Sequence, residues 1–417
     1  MLLAANSAEL SAGRIVKTMG ALWLAGVAMR MTILAMPPVI PLVHSELQMT
    51  ETQVGLLIGL PLLLFALAAI PGSLLIARIG PSRAVVAGMV IAALAGAARA
   101  AAIDVWTLYA AALATGFGVA IMQPSMPVLV REWTPRRIAL ATVAYTSGMM
   151  MGATFPPLFT LSALLPLVGG SWRLNLLVWA VPALLIAPVF FLLSPRIATS
   201  IGTRSGGSAA AKPMGVLWRP DFKDPLVWLL GLTFGCNNSP YFAISAFLGD
   251  YLAAKGKAGL LGAALVWLNG SQIVALVFLL AMAGRLQRRA WPFLIFGPVL
   301  LAALLLIILA PTGFAIIVAA VLIGFATAMT FIPIMTLVPI LAKPADVART
   351  AAGMLTIAYG CAIVIPTICG ALWDATGKPW TAFVPLCLCA AALTVLGAVV
   401  TQYRPAGELP GATSAAP

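Results

Sequence analysis

The sequence predicts an all-α polytopic membrane protein, with 12 transmembrane helices in two pseudo-symmetric six-helix bundles. Three observations predict it. The 417 residues are 62% hydrophobic and only 8% charged, with a mean hydropathy of +1.07; soluble domains carry about 25% charged residues. The apolar residues fall into twelve runs, each near the roughly 20 residues that cross a hydrocarbon core. The basic residues alternate between the breaks: 18 of the 24 lie on one side, five on the other, and Arg30 lies between. That bias puts the richer side in the cytoplasm. Both termini are therefore expected there, in a bacterial inner (plasma) membrane.

Taken in order, the runs are 18–43, 54–76, 84–103, 107–130, 138–163, 173–194, 225–251, 259–284, 290–310, 314–342, 350–372 and 380–403. The first is too long for the apolar core of a cleavable leader and lacks a small-residue cleavage site. The longest break, TSIGTRSGGSAAAKP at its heart, reads as a flexible basic tether. It divides the chain into a first bundle (1–194), a linker (195–224) and a second bundle (225–417). The formal charge of +13 is spread over short loops, which argues for membrane orientation and against nucleic acid as a partner.

The halves resemble each other. GFGVAIMQP (Gly116 to Pro124) and GFATAMTFIP (Gly324 to Pro333) lie 208 positions apart, and the same offset pairs Arg78–Arg83 with Arg285–Arg289. It also brings Tyr145 near Tyr359. A duplicated six-span unit is a transporter architecture, with substrate bound at the midplane between the repeats.

Within that frame Arg30 is the residue of most consequence. It lies mid-run, beyond full snorkelling reach of either surface, and a guanidinium there costs at least about 2.5–3.5 kcal/mol to insert. None of the 11 acidic residues shares its depth. A small anion is the expected companion, since a guanidinium offers a planar fork of donors. The competing reading has Arg30 capping carbonyls freed by Pro37, Pro38 and Pro41. The 208 offset carries Arg30 onto Asn238, in FGCNNSPYF, where Pro240 is expected to break the seventh span. Asn237, Asn238, Asn269, Tyr145 and Tyr241 complete the expected substrate-binding set, and Gln123 and Gln272 are weaker candidates. Arg99, near a run end, reads as an interface residue, and His44 as a solvated one. No nucleophile with a base and no metal cluster sits at shared depth, so neither enzyme activity nor a cofactor is expected. Cys236, Cys361, Cys369, Cys387 and Cys389 read as apolar packing.

SLLIARIGPSR, between the second and third runs, resembles the loop motif of the major facilitator superfamily, with Arg78, Gly80 and Arg83 in place and Ala77 where that motif has aspartate. The resemblance gives those three a conformational or gating role. The stretch from Gly116 through MPVLVREWTPRRIALATVAYTSGMMMGA to Pro156, Pro157 and Gly170-Ser-Trp-Arg173 resembles the cyanate and 2-nitroimidazole transporter branch, as do the Arg30–Pro38 spacing and Asn238-Ser-Pro-Tyr241. That resemblance implies a secondary active or facilitative transporter of a cyanate-like or small organic anion by alternating access, expected to act as a monomer in the lipid bilayer. A coupling proton is a further expected partner. The alternatives are an exporter of small neutral drugs or heterocycles, and a non-transporting sensor or scaffold on the same fold.

Overall fold

The computed structural model describes residues 12–67, 75, 78–134, 137–195, 221–282, 289–309, 312–343 and 346–403; most of the linker (195–224) lies outside these. The first six long helices are α1 (Ala12–Leu34), α2 (Glu51–Leu67), α3 (Pro81–Ala98), α4 (Val105–Trp133), α5 (Ile138–Phe159) and α6 (Trp172–Leu193). The second six are α7 (Pro225–Ala254), α8 (Leu261–Met282), α9 (Trp291–Leu309), α10 (Gly313–Leu341), α11 (Val347–Thr376) and α12 (Val384–Gln402). Among the described residues ten of these are long and apolar enough to cross a membrane. The other two are α2, apolar over the shorter stretch Glu51–Phe65, and α7, which carries Asn237, Asn238 and Asp250. Caps agree with the breaks read from the sequence. At the start of α4, for example, the Thr107 amide and hydroxyl both donate to Asp104 and hold its carboxyl below the ordinary range.

Each half follows one packing plan. α1 lies on α5 and α6, α2 on α4, and α3 on α4 and α6; α7 lies on α11 and α12, α8 on α10, and α9 on α10 and α12. Glycine contacts give the register. A Cβ on Gly148 or Gly152 of α5 would strike the backbone carbonyls of Trp23 or Val27 in α1. In the second half the roles are exchanged: Gly231 and Gly235 sit on α7, and a Cβ there would meet Ile357 and Cys361 of α11 at 2.7 Å. Trp23 and Val27 precede Gly231 and Gly235 by 208 positions, the offset that relates Arg30 to Asn238. The partner glycines relate by 209, which makes Met354 the counterpart of Tyr145. Tyr359 therefore lies more than a turn from that position, and the Tyr145–Tyr359 correspondence drawn from the sequence is loose.

The halves meet along α2 with α11 and α5 with α8. Along α2, Gly55 backs onto Pro366 and Gly59 onto Ile363, while Gly370 of α11 touches the Glu51 backbone. Pro41, in the short helix Ile40–Glu46 that continues α1, packs on Gly249 of α7. All of these contacts lie toward the end of the molecule that carries Glu46, Glu51, Asp250 and Asp374. The halves are thus in close contact at that acidic end. At the opposite, basic end, Gly80 caps α3 with φ +82, a conformation that favours glycine, and Arg78 and Arg83 are exposed beside it.

Pro37 and Pro38, which follow α1, interrupt the first span as expected, whereas Pro240 does not break α7. After Leu34 the chain passes through a 3₁₀ turn (Pro37–Val39) before the helix resumes. The Met36 amide bonds Ile33, which leaves the Thr32 carbonyl without its helical donor. Arg99 supplies one: its guanidinium donates to the Thr32 carbonyl, and the residue is 2% exposed. The expected interface position of Arg99 is thus corrected, and the capping role weighed for Arg30 belongs to Arg99. α7 runs unbroken from Pro225 to Ala254 through Pro240.

Gly152→Leu should cost about 1–3 kcal/mol or more, since it must push α1 off α5. Gly20→Leu, with open space at that Cβ, should leave the melting temperature in detergent nearly unchanged. Arg99→Met should lower that temperature by leaving a buried carbonyl unpaired, at about 1–3 kcal/mol.

Candidate functional site

Arg30 lies 15 residues from one end of the apolar stretch Ile15–Glu46 and 16 from the other. It is half-buried, and among the described residues it makes no hydrogen bond and no ion pair. Its guanidinium is close enough to the phenols of Tyr241 (α7) and Tyr359 (α11) to act on both electrostatically. The cation comes from the first half and both phenols from the second.

The phenols are committed differently. The Tyr241 hydroxyl donates to Asn269 Oδ1 at 2.7 Å, and Asn269 Nδ2 donates to the Leu265 carbonyl at 2.8 Å. That pair is buried and internally satisfied, so Asn269 and Tyr241 form a rigid wall. The Tyr359 hydroxyl accepts from Gln123 Nε2 at 3.3 Å, which leaves its own proton free to donate. Its ring stands edge-on to Phe65 at 5.3 Å and Phe234 at 6.3 Å. Gln272 lies against the Tyr241 hydroxyl, and its Nε2 is buried without a hydrogen-bonded partner.

The adjacent asparagines of α7 divide their work. Asn237 is buried and its Oδ1 accepts from Thr330 of α10 at 2.5 Å, a bond between helices of one half. Asn238 is half-buried and makes no hydrogen bond among the described residues. Tyr145 is half-buried on α5, its backbone against Gly26 of α1. Among the described residues, then, three polar groups are unspent: the Tyr359 hydroxyl beside Arg30, the Gln272 amide beside Tyr241, and the amide of Asn238, one turn before Tyr241 on α7. All three can donate, and no carboxylate accompanies them. Tyr359 entered the sequence reading only as a marker of the repeat; nothing in its spacing shows that α11 turns it toward Arg30.

Residues 22–367 match the sequence model of the Major Facilitator Superfamily. The chain is 29% identical to the 2-nitroimidazole transporter of Escherichia coli (strain K12) over 243 residues, 58% of this chain and 59% of that protein. It is 25% identical to the cyanate transport protein CynX of the same strain over 271 residues, 64% of this chain and 66% of that one. The chain thus spans somewhat less than two thirds of either relative. Over 89% of both lengths it is 24% identical to the uncharacterized transporter YycB of Bacillus subtilis (strain 168). The fold resembles that of a D-xylose–proton symporter, with a TM-score of 0.72 at 11% identity over 91% of this chain and 97% of the other. It also resembles a bacterial homolog of the human lysosomal transporter Spinster in an inward-facing, occupied conformation, with a TM-score of 0.67 at 16% identity over 94% and 96%. The solved structures share the all-helical fold, and the sequence model covers most of the chain: the chain belongs to the Major Facilitator Superfamily.

Proposed function

We propose that this chain moves a small anion across the membrane by alternating access, holding it between Arg30 and the Tyr359 hydroxyl. The observation that carries the reading is the unspent guanidinium at mid-span, faced by donors and by no carboxylate among the described residues. A cyanate-like or small carboxylate anion would satisfy Arg30, Tyr359 and the amides of Asn238 and Gln272 together. Tyr241 and Asn269 would shape the wall, while Asn237 and Tyr145 would hold α7 and α5 in place. The bundles 1–194 and 225–417 rock about this site, joined by the linker 195–224, and Arg78, Gly80 and Arg83 act at the basic end as they separate. In this reading, with the halves in contact at the acidic end, the site opens toward the basic end, and the charge bias puts that end in the cytoplasm together with both termini. The protein works as a monomer in a bacterial inner membrane. Anion entry against a cell-negative potential costs about 2.3 kcal/mol per 100 mV, so uptake needs a gradient, exchange or a co-transported proton.

A second reading has one observation in its favour. Phe65 and Phe234 flank Tyr359, and a flat neutral heterocycle of the kind named for the 2-nitroimidazole relative would stack there. Charge separates the two readings.

In proteoliposomes, Arg30→Gln should reduce cyanate flux by roughly 10–100-fold, the worth of a charge-assisted hydrogen bond. Tyr359→Phe should raise the apparent KM about five-fold, near 1 kcal/mol. Unchanged cyanate flux in Arg30→Gln would sink the anion reading; lost cyanate flux with unimpaired nitroimidazole flux would assign Arg30 to anions alone.

A further inference from the structure

At the acidic end, where the halves meet, three groups that the transport site does not use come together. His44 lies on the short helix that continues α1, Glu51 opens α2, and Asp250 lies near the end of α7. His44 Nδ1 and Asp250 Oδ2 are 2.9 Å apart, and one ligand atom from each of the three residues lies within 4.8 Å of the other two. Glu51 is 7% exposed and its Oε2 has no hydrogen-bonded partner. An ionised carboxylate in that position costs several kcal/mol unless something cationic meets it.

Among the described residues no lysine or arginine is paired with Glu51, and the basic group that acts on it is His44 itself. Asp374 of α11 accepts the Glu51 and Thr52 amides at 2.9 Å and the Thr52 hydroxyl at 2.5 Å, so it fixes the start of α2 and adds negative charge. Arg173 is engaged with Glu46 at 2.8 Å and with the Ala100 and Ala102 carbonyls. Lys255 donates to the Ile308 carbonyl at 3.0 Å and lies over the Tyr251 ring. A neutral imidazole with two carboxylates is a ligand set for a divalent first-row cation, whose charge would cancel both carboxylates. The side chains of His44 and Asp250 are 23% and 11% exposed, which leaves the ion a way in from that end.

We propose that His44, Glu51 and Asp250 form a divalent transition-metal site that ties the two halves together at the acidic end. His44 and Glu51 come from the first half and Asp250 from the second, so the bound ion clamps the interface that must part for the site to open on that side. The ion takes the place of the His44–Asp250 hydrogen bond and engages the unpartnered Glu51 oxygen. Asp374 is a positioning residue, holding Glu51 through the backbone amides that it accepts. The proposal is independent of which substrate Arg30 meets, because its first readout is binding.

Zn²⁺ binding to the purified full-length protein, followed by calorimetry and by melting temperature, tests it. One Zn²⁺ per chain is expected, with a rise in melting temperature because the ion binds the folded state. His44→Asn and Glu51→Gln should each weaken binding by more than about 100-fold, and Asp374→Asn by the 10–100-fold typical of an outer-shell partner. Co²⁺ should give a visible absorption band that His44→Asn abolishes. Zn²⁺ added on the acidic side of oriented proteoliposomes should slow flux at least about ten-fold in the wild type, and Glu51→Gln should escape this. No Zn²⁺ binding, or binding unchanged in His44→Asn and Glu51→Gln variants that melt as the wild type does, overturns the proposal. Response to acid alone without Zn²⁺ binding also overturns it and makes the cluster a proton site.

Discussion

In a bilayer the lipid tails are as apolar as the helices, so nothing pushes two helices together merely because they are greasy. What holds this protein together is the close approach of helices at glycine. Gly148 and Gly152 seat α5 on α1, Gly231 and Gly235 seat α7 on α11, and Gly55, Gly59 and Gly370 seat α2 on α11. The first two sets build the halves, and the third joins them at the acidic end. The depths of Arg30 and Asn238 follow from the first two sets. Arg30 is one turn beyond Val27, and Asn238 is one turn beyond Gly235, so the same seams that pack the halves present both residues at one depth.

A second constraint is that no backbone polar group may be left bare in hydrocarbon. The prolines that follow α1 break that rule locally, and the break is answered by an arginine from another helix. Two arginines at unusual depth therefore have opposite fates. Arg99 is engaged with the Thr32 carbonyl and belongs to the scaffold, although its Nε is buried without a hydrogen-bonded partner. Arg30 is unspent and lies between the halves. A cation's burial alone does not distinguish these roles; its partners do.

Much of the fold was legible because it is written in one dimension. Runs of apolar residues, short basic breaks and a 208-residue offset can be read without knowing what touches what, and the twelve long helices follow those runs closely. Arg30 was legible for the same reason, as a lone charge far from any end. What escaped is what depends on helical rotation and on distant partners. Asn237 and Asn238 are adjacent, yet one faces α10 and the other does not, and no pattern in the letters says which. Arg99 reads as an interface residue until α1 is seen to leave a carbonyl beside it. His44 and Asp250 are 206 positions apart, so His44 looked solvated when its partner was simply out of sight.

The exchange of glycines between the halves has a consequence for how the chain can change. At the two corresponding positions the first half sets Trp23 and Val27 of α1 against Gly148 and Gly152 of α5, whereas the second sets Gly231 and Gly235 of α7 against Ile357 and Cys361 of α11; the first seam adds Gly26 of α1 against the Tyr145 backbone of α5. The two copies thus solve one steric problem with the parts interchanged. A helix moved from one half into the equivalent slot of the other would bring large against large, or small against small. Swaps between the halves are viable only when both helices of a seam travel together, so drift or recombination must treat α1 with α5, and α7 with α11, as single heritable units.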